Sequence, residues 1–522
     1  MKSSIIGVII AVVVIVIIIA VVAATYHPSS INVTTPSKVT TTYWQAATYH
    51  PFSTNVTAPS TVTITYWQAY SPEESAVFYS KILPMFEQEY PNIKVEVTNV
   101  SLSTPNFETD AASHKAPNVY YDSSNDEGLL YAGGFIVNLK NYISNASYFN
   151  QFTSGTIAAE SSGNAMFGLP VNENSILMYY NKKFFPNGIA NNTNALISQL
   201  QAINKTGVWG IAYGIGSDYG YRFAAWLPGF GTYIFAGKTT GAVTLNNSAM
   251  INALEFWYNL TYVDHINAPL GSGSGVAGAG GLEGSLFESG KAAVIFDGPW
   301  DLVPYVKALG SNLGTAPLPQ VSSTGLYFAP LIGSEGIAVS STAASGATAA
   351  QLNASAVFAQ FLASPQVELL MYNGTGDLPS DSAALNSLIA KANANTLDPA
   401  FAVAENLTAT EFSPIEKGIL EQENGHTSPT PSTPQMNYWY SGVADAHAEL
   451  GLYYTNRTIT AQDVAGCLQV FISSNSTTVL PICSSVTTVL KPTNYFVYVG
   501  IILVVIVVLL VLGLSMKRKT GH

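Results

Sequence analysis

Charge is scarce in this 522-residue sequence: Asp, Glu, Lys and Arg make up 10% of it, against about 25% in an average soluble protein. The 20 Lys and Arg face 32 Asp and Glu, a formal charge of −12. The chain therefore lacks the basic surface that a phosphate backbone demands, which argues against nucleic acid as a partner. Cysteine is nearly absent. Cys467 and Cys483 cannot build a structural zinc site; paired, they close a loop worth about 3 kcal/mol in the chain-entropy model, and two free thiols are the alternative. The seven His show no His-x-x-x-His or Glu-flanked spacing, and no Gly-x-Ser-x-Gly elbow occurs, so neither a metal, a cofactor nor a hydrolase triad is expected. The glycine run at 271–281 lacks Gly-Lys-Ser/Thr and a preceding strand, which reads as a surface loop rather than a phosphate cradle. Asp122 to Gly128 looks superficially like a calcium loop, but Glu127 stands where glycine is required and Gly133 where the closing glutamate is required.

What is present is aromatic, apolar and rich in Asn, Ser and Thr. Aromatics reach 11%, with 29 Tyr. Asn-x-Ser/Thr occurs at Asn32, Asn55, Asn99, Asn145, Asn191, Asn204, Asn246, Asn259, Asn353, Asn373, Asn406, Asn456 and Asn475, and glycans there would wet a charge-poor exterior. Ile5 to Ala24 is uncharged and follows Lys2; at 1.5 Å per residue it spans about 30 Å, which suits an N-terminal anchor or an archaeal-style leader in 1–24. A second uncharged run, Phe496 to Leu514, is followed by Lys517, Arg518 and Lys519. Those cations predict a transmembrane helix over 495–516, a cytoplasmic tail at 517–522 and an extracellular body held to the bilayer by terminal helices. Between the first run and the body, Thr25 to Ala47 and Thr48 to Tyr70 are identical at 17 of 23 paired positions. A Thr/Pro-rich tether over 25–60 has been duplicated, and the second copy leads into the body. A linker over 484–494 joins the body to the C-terminal run.

The body alternates strands and helices. Val62 to Trp67 is β-branched and aromatic; Ser71-Pro72-Glu73-Glu74 spells a helix start, with Ser71 as N-cap, Pro72 at N1 and Glu74 closing a capping box. The helical spacing of Val77, Phe78, Ile82, Met85 and Phe86 continues across Pro84, which should kink it. Ile93 to Val97 alternates as a strand. Strand, helix, strand is a βαβ unit of an α/β fold, whose ligands bind beyond the carboxyl ends of parallel strands, here at the Trp67-to-Ser71 turn.

Six phrases follow in order: ITYWQAYSPEE, APNVYYDSSNDEGLLYAGGFIVNL, GLPVNENSILMYYNKKFF, LFESGKAAVIFDGPWDL, FAQFLASPQVELLMYNGTGDLPS and PQMNYWYSGVADAHAEL. Over roughly Val62 to Phe471 this order resembles the family-1 extracellular solute-binding proteins of ABC importers, the maltose-binding-protein-like group. The resemblance implies a two-lobed periplasmic-binding-protein-like (type II) α/β fold with hinge crossings. Lobe 1 would comprise 61–170 and 338–376, lobe 2 171–337 and 377–483, with a carbohydrate held between them and passed to an ABC permease in the same membrane.

Carried onto this sequence, the family's pattern makes Trp300, and with it Trp439 and Tyr440, sugar-stacking aromatics. It places hydroxyl-binding groups at Asp122, Asn125 and Asp126 and matches the crossing-segment carboxylate to Glu173 or Asn174, one residue apart. Asp122, Asn125 and Asp126 depart from the residues of the maltose-binding pattern, which leaves the sugar open. Tyr70 and Ser71 at the first turn, Tyr219, Tyr221 and Arg222 at a helix start, and Gly333, Ser334 and Glu335 at the second crossing complete the candidates. Flat rings for C–H faces and planar polar groups for paired hydroxyls are what a saccharide requires.

Two other functions use the same features. A secreted glycosidase would need carboxylates such as Asp122 and Glu173 about 5 to 9.5 Å apart astride one bond. A glycosylated surface-coat or adhesion protein would show no ligand-dependent stabilisation. The sparse charge also suits an acidic exterior, as of an acidophilic archaeon, where carboxylates are partly protonated.

Overall fold

The computed structural model describes residues 61–100, 104–214, 219–270, 275–397, 407–436, 438–440 and 460–474. The two apolar runs, the duplicated tether, the linker, Cys483 and the sequons at Asn32, Asn55, Asn406, Asn456 and Asn475 lie outside the described residues. No helix among the described residues is long and apolar enough to cross a membrane. Of the described sequons, Asn99, Asn145, Asn191, Asn246, Asn259, Asn353 and Asn373 are exposed, and Asn204 is half-buried.

Strand β1, Val62–Gln68, opens the body. Helix α1, Pro72–Val77, begins on a full capping box: Ser71 Oγ accepts from the Glu74 N–H at 3.2 Å, and Glu74 Oε2 accepts from the Ser71 N–H at 2.7 Å. Pro84 lacks an N–H and its ring crowds the carbonyl four residues back. The chain accommodates it with a π-helical turn, Phe78–Ile82, before α-helix resumes over Leu83–Glu89. Strand β2, Ile93–Asn99, then returns parallel to β1, with Val62 opposite Ile93 and Gln68 opposite Asn99.

Further along come β3 (Val119–Ser123), β4 (Gly168–Pro170), β5 (Leu177–Asn181), β6 (Trp209–Ala212), β7 (Ala292–Asp297), β8 (Leu313–Ala316), β9 (Leu331–Ile332), β10 (Glu335–Val339) and β11 (Ser428–Pro429). A five-stranded sheet runs in the order β2, β1, β3, β10, β4 and a four-stranded sheet in the order β8, β5, β7, β6. The βαβ opening predicts a parallel sheet. That holds for β1 to β3, whereas β10 is antiparallel to both neighbours because it arrives from the other sheet, and in the second sheet only β6 and β7 are parallel.

Alternation along the strands explains why both sheets are covered on both faces. Ile64, Tyr66, Val119, Tyr121, Ile337 and Val339 pack into one core of the first sheet, while Tyr120 and Ala338 enter the other. In the second sheet Met178, Ile211, Val294 and Phe296 face one core, and Leu177, Tyr179, Ile295 and Leu313 the opposite one. The chain passes between the sheets at three places. The backbone of 171–176 pairs with both other passages: the Glu173 N–H donates to the Leu378 carbonyl at 2.8 Å, and Asn174 exchanges hydrogen bonds with Gly333 at 3.1 and 2.7 Å.

Candidate functional site

A cavity of about 630 Å³ opens where these passages meet the ends of the strands. One wall is the β1-to-α1 turn, from Ala69 through Ser71 to Glu74, with Tyr121 of β3 behind it. The floor is the three crossings, which contribute Asn172 to Asn174, Glu335, and Thr375 to Leu378. The far wall follows β7: Pro299 to Asp301, Val303, Pro304 and Lys307, with Ala279 and Gly280 of the glycine-rich loop. That loop, expected only as surface, is tied to the site, because the Ala279 N–H donates to Asp301 Oδ2 at 2.8 Å.

Trp300 is 40% exposed and lines this cavity. Its position is nevertheless fixed. The ring folds back over Gly298, where a Cβ would collide with it, and lies 6.1 Å from the Tyr221 ring centroid at 55°. Gly298 is itself held: its N–H donates to Asp297 Oδ1 at 2.9 Å, and its carbonyl accepts from Tyr179 Oη at 3.0 Å. The backbone there (φ −99°, ψ 176°) suits any residue, so only the ring forbids a side chain. Gly298→Ala is expected to displace the indole and leave the melting temperature nearly unchanged. Intrinsic fluorescence should shift to the red relative to the same substitution in a Trp300→Phe background; an unshifted spectrum would show that the ring does not rest on this glycine.

Four carboxyls around the cavity, Glu74, Glu173, Glu335 and Asp377, are raised above their ordinary range. Burial pushes Glu335 up to about 7, aided by Asp377 and opposed by hydrogen bonds from Asn172 and Asn174. Glu74 is raised by burial and then by Asp377, and Asp377 by burial. Glu173, buried and hydrogen-bonded by Thr153, is pushed up to about 7, again by burial. Tyr221 donates from Oη to the Leu331 carbonyl at 2.8 Å, beside Asn174. Asn174 Nδ2 donates to Glu335 Oε2 at 3.0 Å, joining the first and second crossings.

The structure brings together Trp300, Ser71, Glu173, Asn174 and Glu335 around this cavity. Gly333 pairs with Asn174 beneath it, with Tyr221 alongside. Tyr70 is half-buried and shares a 2.8 Å hydrogen bond with Tyr66 Oη, behind the Ser71 turn. Ser334 is buried, its N–H held by Ser124 Oγ at 3.4 Å. Asp122 is fully buried at the end of β3, where Oδ1 accepts from the Ser123 N–H; burial, then Asp126, hold its carboxyl above the usual range. Asp126 is half-buried on the following helix, and its charge helps burial raise the half-buried Tyr440 phenol. The Asn125 side chain lies outside the described residues.

Three expectations are corrected. Trp439 is 0% exposed. Its Nε1 donates to the Gly220 carbonyl at 2.8 Å and its ring packs near Phe223 in a core of the second sheet. It cannot stack on a ligand there, and it belongs to the same body as Trp300 rather than facing it from the other side. Tyr219 is buried against Phe223 in the same core. Arg222 is 0% exposed and forms a two-pronged pair with buried Glu283, Nη1 to Oε2 at 2.7 Å and Nη2 to Oε1 at 3.1 Å, so its fork is already spent. The helix Tyr219–Ala224 is buried at every position, which the mix of aromatic and charged residues disguised.

The sequence reading missed Glu74, Asn172, Asp301, Lys307 and Asp377 as cavity residues. Glu74 had a signal, since it lies in the turn beyond β1 where ligands of parallel sheets bind, but its capping role accounted for it fully. Asn172 and Asp377 had none, because only the pairing of the crossings places them.

Two sheets, each with its own cores and joined by three crossings beside an open cavity, give the geometry of a protein that encloses a ligand between two walls. Residues 81–397, more than half the chain, match the bacterial extracellular solute-binding proteins, and the chain belongs to that family. It captures a solute and is not an enzyme. It is 23% identical over 348 residues to a maltodextrin-binding protein of Bacillus subtilis, covering 64% of this chain and 72% of that one. It is 26% identical over 284 residues to a maltooligosaccharide ABC transporter solute-binding lipoprotein of Streptococcus pneumoniae, covering 53% of this chain and 62% of that protein. The fold is similar to that of the maltose/maltodextrin-binding domain of Bdellovibrio bacteriovorus bound to maltotriose, with TM-score 0.62, 22% identity and coverage of 79% of this chain and 99% of that one. The maltose-maltodextrin binding protein of the thermoacidophilic bacterium Alicyclobacillus acidocaldarius gives TM-score 0.60 and 20% identity over 79% of this chain and all of that one.

Proposed function

We propose that this protein captures a carbohydrate, of the maltooligosaccharide kind, and delivers it intact to an ABC permease. The observation that carries the reading is Trp300: a large apolar face resting on Gly298 yet 40% open, on the wall of a cavity whose lining also carries carboxyls and amides. A sugar lays its C–H face on such a ring and offers hydroxyls to such groups. The names of the relatives support the sugar class.

The lobes follow the two sheets, 61–170 with 335–376 and 171–334 with 377–483, the boundary expected at 338 moving back to 335 because Glu335 to Ile337 pair with β3 in the first sheet, and they close about the three crossings. Closure follows from a ligand that touches both walls, since a ligand bound to one wall alone cannot bias the hinge. In the same proposal the body is extracellular, glycosylated at the exposed sequons, bridged between Cys467 and Cys483, and tethered by the apolar runs at its two ends to the membrane of an archaeal cell.

Titration calorimetry of the body with maltotriose and longer maltodextrins tests the function. Trp300→Ala is expected to weaken binding by about 2 kcal/mol or more, roughly 30-fold, with the melting temperature of the free protein unchanged. Full affinity in that variant would remove the role of the ring.

A further inference from the structure

Six carboxyl residues line the cavity among its described residues, Glu73, Glu74, Glu173, Asp301, Glu335 and Asp377, and Lys307 is the one cation among them. Lys307 is exposed, and Arg222, which could have balanced them, is sealed against Glu283. Three of the acids come from different segments and influence one another: Glu74 from the start of α1, Glu335 from the start of β10 and Asp377 from the third crossing. Each is held by neutral groups. Glu74 accepts from the Ser71 N–H at 2.7 Å and from Tyr121 Oη at 3.3 Å. Glu335 accepts from Asn174 at 3.0 Å, and Asp377 from Thr375 Oγ1 at 2.6 Å. The titratable groups facing them from the surrounding elements are Tyr70, Tyr121, Asp122, Glu160 and Tyr221, all of which are neutral or anionic.

Like charges gathered in a partly desolvated cleft repel, and closure onto the Asp301 wall would drive out the water that screens them. A neutral carboxylic acid behaves differently. It presents one O–H donor and one carbonyl acceptor and, like an amide, can both give a hydrogen bond to a sugar hydroxyl and take one from it.

Resting on the carbohydrate reading above, we propose that Glu74, Glu335 and Asp377 grip the saccharide as neutral carboxylic acids, so that capture is strongest in acid and is lost as these groups ionise. Glu74 and Asp377 thereby become specificity-determining residues: they favour uncharged sugars and turn away uronates, whose carboxylates would meet the six acids and, among the described lining residues, a single cation, Lys307.

The test is calorimetric titration of the full chain with maltotriose between pH 4 and pH 9, at a temperature where circular dichroism shows the protein folded throughout. The expected affinity is flat in acid and falls about tenfold per pH unit above about pH 7 for each proton that binding requires. Glu335→Gln and Glu74→Gln each keep a donor and an acceptor without a titrating group, and each is expected to flatten that fall. Affinity that is constant or rises with pH, or an unaltered slope in both variants, overturns the proposal. Maltotriose failing to bind at every pH overturns the carbohydrate reading with it, whereas pH-independent binding overturns this inference alone.

Discussion

Raising the pH from about 4.5 to about 8 is expected to lower the melting temperature by about 10 °C or more, the reverse of ordinary acid denaturation. The cause is a set of carboxyls buried without cations. Glu416 is 0% exposed, neither oxygen has a hydrogen-bond partner among the described residues, and burial pushes its pKa up to about 8. Glu127 and Glu160 are fully buried together over Gly336; burial raises both, Glu160 to about 7, and Glu160 adds to the rise of Glu127. Glu368 and Glu423 are raised chiefly by burial as well.

For each of these acids the folded pKa lies above the unfolded one. Its contribution to stability is therefore complete below the unfolded value near 4.3, where both states are protonated, and is lost as pH rises through the folded value. For the groups with stated values that window closes between about 7 and about 8. Glu411 works in the opposite direction, its carboxyl held low by Thr408 at a helix start, but it is exposed and screened. The net charge of −12 at pH 7 adds self-repulsion with the same sign as the buried acids. Calorimetric scans from pH 4 to pH 9 check this, and a melting temperature that rises with pH would refute it.

Replacing Arg222 by Met is expected to cost about 3 to 5 kcal/mol of folding stability, measured by urea unfolding at pH 7. The loss comes from stranding Glu283, which is 0% exposed and also accepts from the backbone N–H of Gly214 and, at 3.3 Å, of Gly278. The guanidinium lies 4.9 Å from the Tyr213 ring centroid, so packing is lost as well. Adding Glu283→Gln should restore most of the stability, because it removes the uncompensated charge. Arg222→Met as stable as the parent but weaker in ligand binding would instead return Arg222 to the cleft.

The contrast between Arg222 and Trp300 shows what the sequence could and could not convey. The capping box and the disturbance at Pro84 are set by residues within about one turn of each other, and the βαβ opening by consecutive segments within 62–99, and each was legible. Trp300 follows Gly298 and Pro299, and a turn after a buried strand presents its next side chain at the sheet's edge. Trp439 carried a similar aromatic neighbourhood, yet its surroundings come from the helix Tyr219–Ala224, more than two hundred residues away. Composition does not distinguish a ring that fills a core from one that lines a cavity, because both roles select large apolar faces. Asp377 and Asn172 reach the cavity only through the pairing of Glu173 with Leu378 and of Asn174 with Gly333, which leaves no trace in local pattern.

Glu74 closes the capping box of α1 and also looks into the cavity. One side chain thus answers to two selective pressures, and few replacements can satisfy both: glutamine keeps the reach and the backbone contact, aspartate is too short, and apolar residues forfeit the cap. Drift in ligand preference should accordingly run through Trp300, Lys307 or the glycine-rich loop, where a change alters recognition without loosening the first helix.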